Sequence, residues 1–137
     1  MINEALFTSN SDEWFTPQTF FDEINKEFNF TLDAAATKEN TKCKKFFNID
    51  NNGLEQDWEG VVFCNPPYSN IKLWVEKAYN ESLEGTKIVM LIPVRSDTKY
   101  FHKWIYGKAE LRFIKGRLKF SDSKNSAPFP SMLVIYN

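Results

Sequence analysis

The sequence predicts an α/β chain with a mainly parallel central sheet and an antiparallel terminal strand. Three observations lead there. Val61–Cys64 and Ile88–Ile92 are short unbroken apolar runs, as in strands buried on both faces. Between such runs, apolar residues recur at helical spacing, most clearly Phe20, Phe21, Ile24 and Phe28. The C-terminal third turns strand-rich, which favours a final strand paired antiparallel to the rest.

The length fits one minimal domain spanning residues 1–137, and 13 phenylalanines supply a core. The chain has no apolar run near the ~18 residues of a membrane span and no cationic leader before an apolar segment. Membrane and secreted classes are therefore set aside and a cytoplasmic protein is expected. Cys43 and Cys64 lack metal-ligand spacing and read as reduced, packed thiols.

Taken in order, residues 1–12 are polar and read as a mobile lead-in. Thr16 is a helix cap and Pro17 suits the first helical position. Phe30–Leu32 forms a short strand ending at Asp33. A carboxylate there suits a ribose hydroxyl or an amino-acid amine, or it caps the next turn. Phe46-Phe47 is a second short strand, and Asn51-Asn52-Gly53 a turn. Val61–Cys64 follows, stopped by Pro66 and Pro67, which cannot continue a sheet ladder. A helix runs from Leu73 to Leu83 and ends near Gly85. After Ile88–Ile92, a helix is expected over Asp97 to Tyr106. Leu111–Ile114, Arg117–Phe120 and Met132–Tyr136 read as strands. His102 is structural or exposed.

Charge is unevenly spread. Residues 1–60 hold five Lys/Arg against twelve Asp/Glu, whereas residues 95–124 hold nine against three. A basic segment in an acidic chain suits phosphate contact, although a solvated face has the same composition.

Asn65-Pro66-Pro67-Tyr68 is the stretch that carries chemistry. It lies at the carboxyl lip of a strand, where open α/β sheets bind ligands. The Asn65 amide oxygen and the Pro66 carbonyl are two neutral acceptors, which together suit the two hydrogens of an –NH2 group. Tyr68 adds a flat ring on which a base can stack. The alternative is a proline-rich turn with no chemistry.

This tetrapeptide resembles the catalytic motif of S-adenosylmethionine-dependent methyltransferases acting on exocyclic amines of DNA bases. Trp14–Pro17, Leu32–Thr37, Asn40–Cys43, Asp57-Trp58 and Gly116–Phe120 flank it in an order similar to that of the phage-type (Dam family) DNA adenine methyltransferases. The resemblance covers about residues 12–136. It implies a Rossmann-like class I methyltransferase fold, base flipping and methyl transfer to adenine N6, with no metal. It makes Asn65, Pro66, Pro67 and Tyr68 catalytic. Trp14, Thr16, Pro17, Asp33, Ala34 and Asp57 would hold S-adenosyl-L-methionine. Ser69, Arg95, Lys115, Arg117 and Lys119 would face double-stranded DNA, with no obligate protein partner. One departure stands out: no glycine lies between Asp33 and Asn52, where related enzymes carry a Gly-rich loop.

Three rivals share these features. A protein glutamine amide or an RNA adenine fits the same acceptor motif, and an inactive DNA-binding module fits the same fold. The basic segment favours DNA, and the intact Asn65–Tyr68 motif favours an enzyme.

Overall fold

The computed structural model describes residues 15–120 and 127–137. Trp14 and the expected lead-in lie outside the described residues. Six strands form one sheet: β1 (Leu32–Asp33), β2 (Lys45–Phe46), β3 (Val61–Cys64), β4 (Lys87–Pro93), β5 (Glu110–Phe113) and β6 (Ser131–Tyr136). Their spatial order is β2-β1-β3-β4-β6-β5. β2, β1, β3 and β4 are parallel, and β6 is antiparallel to both β4 and β5. The antiparallel strand expected at the end of the sequence is present, and it is terminal only in sequence. In the sheet it lies between β4 and β5.

β4 shows why its run is apolar without a break. Side chains alternate between faces along a strand. Ile88, Met90 and Ile92 join one buried cluster, and Val89 and Leu91 join the other. The first cluster is covered by α2 (Ile71–Leu83) through Trp74, Val75 and Ala78. The second is covered by α1 (Gln18–Phe28) through Phe21 and Phe28, with Phe20 and Ile24 half-buried beside them. Both faces are thus roofed, and the stripe of phenylalanines in α1 serves the purpose its spacing predicts. Phe21 meets Phe63 of β3 edge-on, with ring centroids 5.2 Å apart.

Three local expectations need correction. Thr16 does not cap α1: Pro17 occupies the N-cap position and no side chain caps the helix. The Thr16 hydroxyl is used elsewhere, as described below. The helix expected over Asp97 to Tyr106 is reduced to a short segment whose core is a single π-helical turn, Phe101–Ile105. Phe101 and Ile105 are its buried residues, so only one narrow stripe packs. Arg117–Phe120 is not a strand. Its alternation still describes burial, since Arg117 and Lys119 are exposed and Phe120 is buried. The segment lies outside the sheet, and its Leu118 carbonyl accepts instead from the backbone N–H of Ala127 at 2.7 Å.

Cys43 and Cys64 are free thiols, and burial raises the pKa of both. No helix among the described residues is long and apolar enough to cross a membrane.

Candidate active site

β1 and β3 are adjacent, but β2 lies beyond β1 on one side and β4 beyond β3 on the other. The loops after β1 and β3 therefore leave in opposite directions and open a crevice at the carboxyl ends of the strands. Asp33 is the last residue of β1, and Asn65 follows the last residue of β3. A cavity of about 480 Å³ opens there, lined by Asp33 and Asn65 together with Thr16, Lys42, Asn48 and Trp74 among others.

Asn65 is half-buried, and both ends of its amide are engaged. Its Nδ2 donates to Thr16 Oγ1 at 3.0 Å. Its Oδ1 accepts from the Tyr68 hydroxyl at 3.3 Å. Burial raises the Tyr68 pKa, so the phenol stays protonated and remains a donor. The two prolines fix the turn that makes this possible: Pro66 is buried, and Pro67 leads into the short 3-10 turn Tyr68–Asn70 before α2.

Asp33 is 3% exposed. Its carboxylate oxygens accept from the backbone N–H groups of Ala35, at 3.4 Å, and Lys42, at 3.0 Å. The carboxylate thus draws the loop after β1 closed, which is part of the turn-capping alternative read from the sequence. Burial outweighs those bonds and pushes its pKa up to about 7.

A Cβ on Gly53 would collide with the backbone carbonyl oxygen of Ala34 and approach the Trp74 ring to 3.1 Å. A glycine from the loop after β2 therefore provides the close backbone approach against the loop after β1. Trp58 holds Gly53 there, its Nε1 donating to the Gly53 carbonyl at 2.8 Å. On the same wall, Asn70 Oδ1 and Trp74 Nε1 are buried with no hydrogen-bond partner among the described residues. Also among the described residues, no cluster of His, Cys, Asp and Glu is arranged to hold a metal ion.

A family model described as DNA N-6-adenine-methyltransferase (Dam) matches residues 4–137. The chain belongs to this family. The DNA N-6-adenine-methyltransferase of Haemophilus phage HP1 (strain HP1c1) is 34% identical over 138 residues, covering 93% of this chain and 80% of that protein. The DNA N-6-adenine-methyltransferase of Escherichia phage T1 is 33% identical over 110 residues, covering 78% of this chain and 46% of that protein.

Within this Dam family chain, the structure brings together some of the expected residues and separates others. Thr16, Asp33, Asn65, Pro67 and Ser69 share the cavity wall. Ala34 is fully buried in the core, and its neighbours Ala35 and Ala36 stand on the wall instead. Pro17 is half-buried at the start of α1, away from the wall. Asp57 is exposed and off the wall, while the adjacent Trp58 is 2% exposed. Asn48, Asn52 and Gly53 line the cavity although the sequence suggested only a turn there. Three asparagines in five residues before a glycine were the available signal.

The basic residues gather at the same lip. β5 runs parallel to β4, so Arg95 after β4 and Lys115, Arg117 and Lys119 after β5 all leave the sheet at the end where Asn65 sits. Arg112 does not join them. Its guanidinium is bidentate on Glu27 at 2.7 and 2.8 Å and bonds Glu110 at 2.7 Å.

Proposed function

We propose that the chain transfers the methyl group of S-adenosylmethionine to the N6 amine of adenine in double-stranded DNA. It would act as a Rossmann-like class I methyltransferase of a single domain, in the cytoplasm of a bacterial or phage-infected cell. The observation that carries this reading is the Asn65 amide, held at both ends on the wall of a cavity at the sheet's switch point.

The residues present fit the cofactor. Pockets for small ligands run to about 300–1,000 Å³, and the cavity falls within that range. A nucleoside joined to a zwitterionic amino acid needs charged, amide and flat apolar partners. Asp33, Lys42, Asn48, Asn52 and Trp74 provide them on one wall. When bound, the cofactor supplies an already electrophilic methyl group, so the protein needs no nucleophile of its own.

The work of the chain is alignment. Asn65 Oδ1 is an acceptor that takes the Tyr68 hydroxyl here and would take an amine hydrogen of the substrate in the complex. The Pro66 carbonyl would take the second hydrogen, and the stiff Pro66-Pro67 backbone keeps the two acceptors at a fixed spacing. These neutral acceptors leave the lone pair of the amine pointing away from them and stabilise the positive charge that develops on nitrogen. Such positioning is worth several kcal/mol of the barrier, roughly up to ten. An adenine inside a duplex cannot reach this wall, so the base must flip out. Ser69, Arg95, Lys115, Arg117 and Lys119 then hold the strands around it.

The test is incubation with labelled S-adenosylmethionine and separate DNA, RNA and protein acceptors. Label on adenine N6 in duplex DNA is the expected result. Label only on RNA or on a glutamine amide would move the substrate, and no label on any acceptor would leave a binding module of the same fold.

A further inference from the structure

Lys42 stands on the cavity wall with Asp33, and its backbone N–H donates to the Asp33 carboxylate at 3.0 Å. An ion pair between the two side chains is within easy reach, yet Lys42 Nζ donates instead to the neutral Gln18 Oε1 of α1 at 3.0 Å. We propose that Lys42 is a ligand-binding residue of this cavity, its ammonium taking the α-carboxylate of an amino-acid head whose amine meets Asp33. This assignment rests on the methyltransferase reading above, in which that head is the methionine end of S-adenosylmethionine.

Among the described residues of the wall, Asp33 is the one acid and Lys42 the one base. Lys44 and Lys45 follow closely in the chain but are exposed and off the wall. Each of the two wall charges has only neutral partners among the described residues. Asp33 accepts from the backbone N–H groups of Ala35 and Lys42, and Lys42 Nζ donates to an amide oxygen. The orientation of that amide is set from α1. Gln18 Nε2 donates to Asp22 Oδ1 at 2.7 Å, and an ionised carboxylate can only accept, so Oε1 is the end turned to Lys42. Gln18 is exposed, which puts the ammonium at the rim of the cavity, whereas Asp33 is 3% exposed and lies deeper. A charge removed from water is costly unless it is paired. A ligand with one charge would answer Asp33 or Lys42 and leave the other. A zwitterionic head answers both, its amine inward and its carboxylate towards solvent.

The experiment measures affinity by calorimetry for three ligands: S-adenosylmethionine, its decarboxylated form, which keeps the amine, and methylthioadenosine, which lacks the whole head. Wild type should prefer S-adenosylmethionine to the decarboxylated form. Lys42→Met should weaken S-adenosylmethionine on the order of tenfold to a hundredfold, while the other two ligands stay within about twofold of wild type. Lys42→Arg keeps the charge and should keep the preference for the carboxylate. Equal losses for all three ligands would make Lys42 a structural residue and overturn the assignment. So would a Lys42→Met variant that binds S-adenosylmethionine as wild type does. A variant whose sole defect is weaker DNA binding with a shallower salt slope would overturn it too, by placing the ammonium on phosphate. If wild type shows the carboxylate preference through Lys42 but labels no acceptor, the assignment stands and the methyl-transfer reading fails. If wild type binds none of the three ligands, both fall.

Discussion

The Tyr68 ring meets the Phe129 ring edge-on, with centroids 5.5 Å apart and planes at 76°. Phe129 precedes β6 and lies 6.0 Å from the buried Phe120, so the turn after β3 is braced by the segment that carries Arg117 and Lys119. A perpendicular brace sets the orientation of the Tyr68 ring. Tyr68→Ala should therefore lose both the stacking surface and the brace, with stacking alone worth roughly 1–3 kcal/mol. Tyr68→Phe keeps the ring and removes the hydroxyl that donates to Asn65, so its loss in turnover should be smaller. Equal losses in steady-state kinetics would assign the hydroxyl the main role.

Asn65→Ala removes the acceptor itself. Turnover should fall on the order of a hundredfold or more, while circular dichroism and melting temperature stay close to wild type because the residue is only half-buried. A folded variant with near-normal turnover would remove Asn65 from the mechanism.

Asp33 gives the site a pH signature. Burial raises its pKa from 3.8 to about 7. Between those values the folded protein holds a proton that the unfolded chain has lost. Stability should thus fall as pH rises through that window and level off above it. The full effect is on the order of 4 kcal/mol. Chemical denaturation at pH 4, 6 and 8 should show the slope, and Asp33→Asn should flatten it. A cofactor amine or hydroxyl donating to this carboxylate favours its ionised form. Cofactor binding at pH 6 should therefore release protons, detected by calorimetry in buffers of different ionisation heat. Proton-neutral binding would place the cofactor's polar head elsewhere.

Gly53→Ala tests the close approach of the loop after β2 to the loop after β1. The added methyl has no room against Ala34 and Trp74. Overpacking of this kind costs about 1–3 kcal/mol. A lower melting temperature together with weaker cofactor binding is the expected pair of results. A melt that falls with cofactor affinity intact would confine Gly53 to a structural role.

Arg117→Ala or Lys119→Ala should weaken DNA binding and reduce the salt slope by about one unit if the contact is to phosphate. Arg112→Ala is the internal control. Its guanidinium is already shared between Glu27 and Glu110, which raises its pKa and lowers that of Glu27, so its loss should leave the slope unchanged. If all three variants behave like wild type, the basic lip is a solvated face.

Much of this architecture was legible because it depends on local pattern. Ile88–Ile92 is apolar throughout because both faces of β4 are roofed, and Val61–Cys64 is a strand because two prolines stop it. Asn65 could be singled out from its position at a strand lip. The unreadable parts depend on contacts across the fold. Thr16 reads as a cap because threonine before proline usually is one; its partner is 49 residues away. Gly53 reads as a turn residue because nothing local shows that the Ala34 carbonyl lies against it. Arg112 counts as a free charge until Glu27 is seen opposite it. Asp57 and Trp58 illustrate both cases, the aromatic fulfilling its packing role and the acid lying exposed, away from the wall.

The position of β6 has a consequence for how the chain is made. Its partners run from Ile88 with Tyr136 to Pro93 with Ser131, and among the described residues β5 pairs with no other strand. A nascent chain that has not yet released Ser131 therefore exposes one open edge of β4, with β5 still unpaired. Open apolar edges of this kind template association with other chains. Pairing of such distant segments is slow to form. The lip that carries Lys115, Arg117 and Lys119 is braced by Phe129, which leaves the ribosome just ahead of β6. Ordering of this basic lip and closure of the sheet are thus tied to one another.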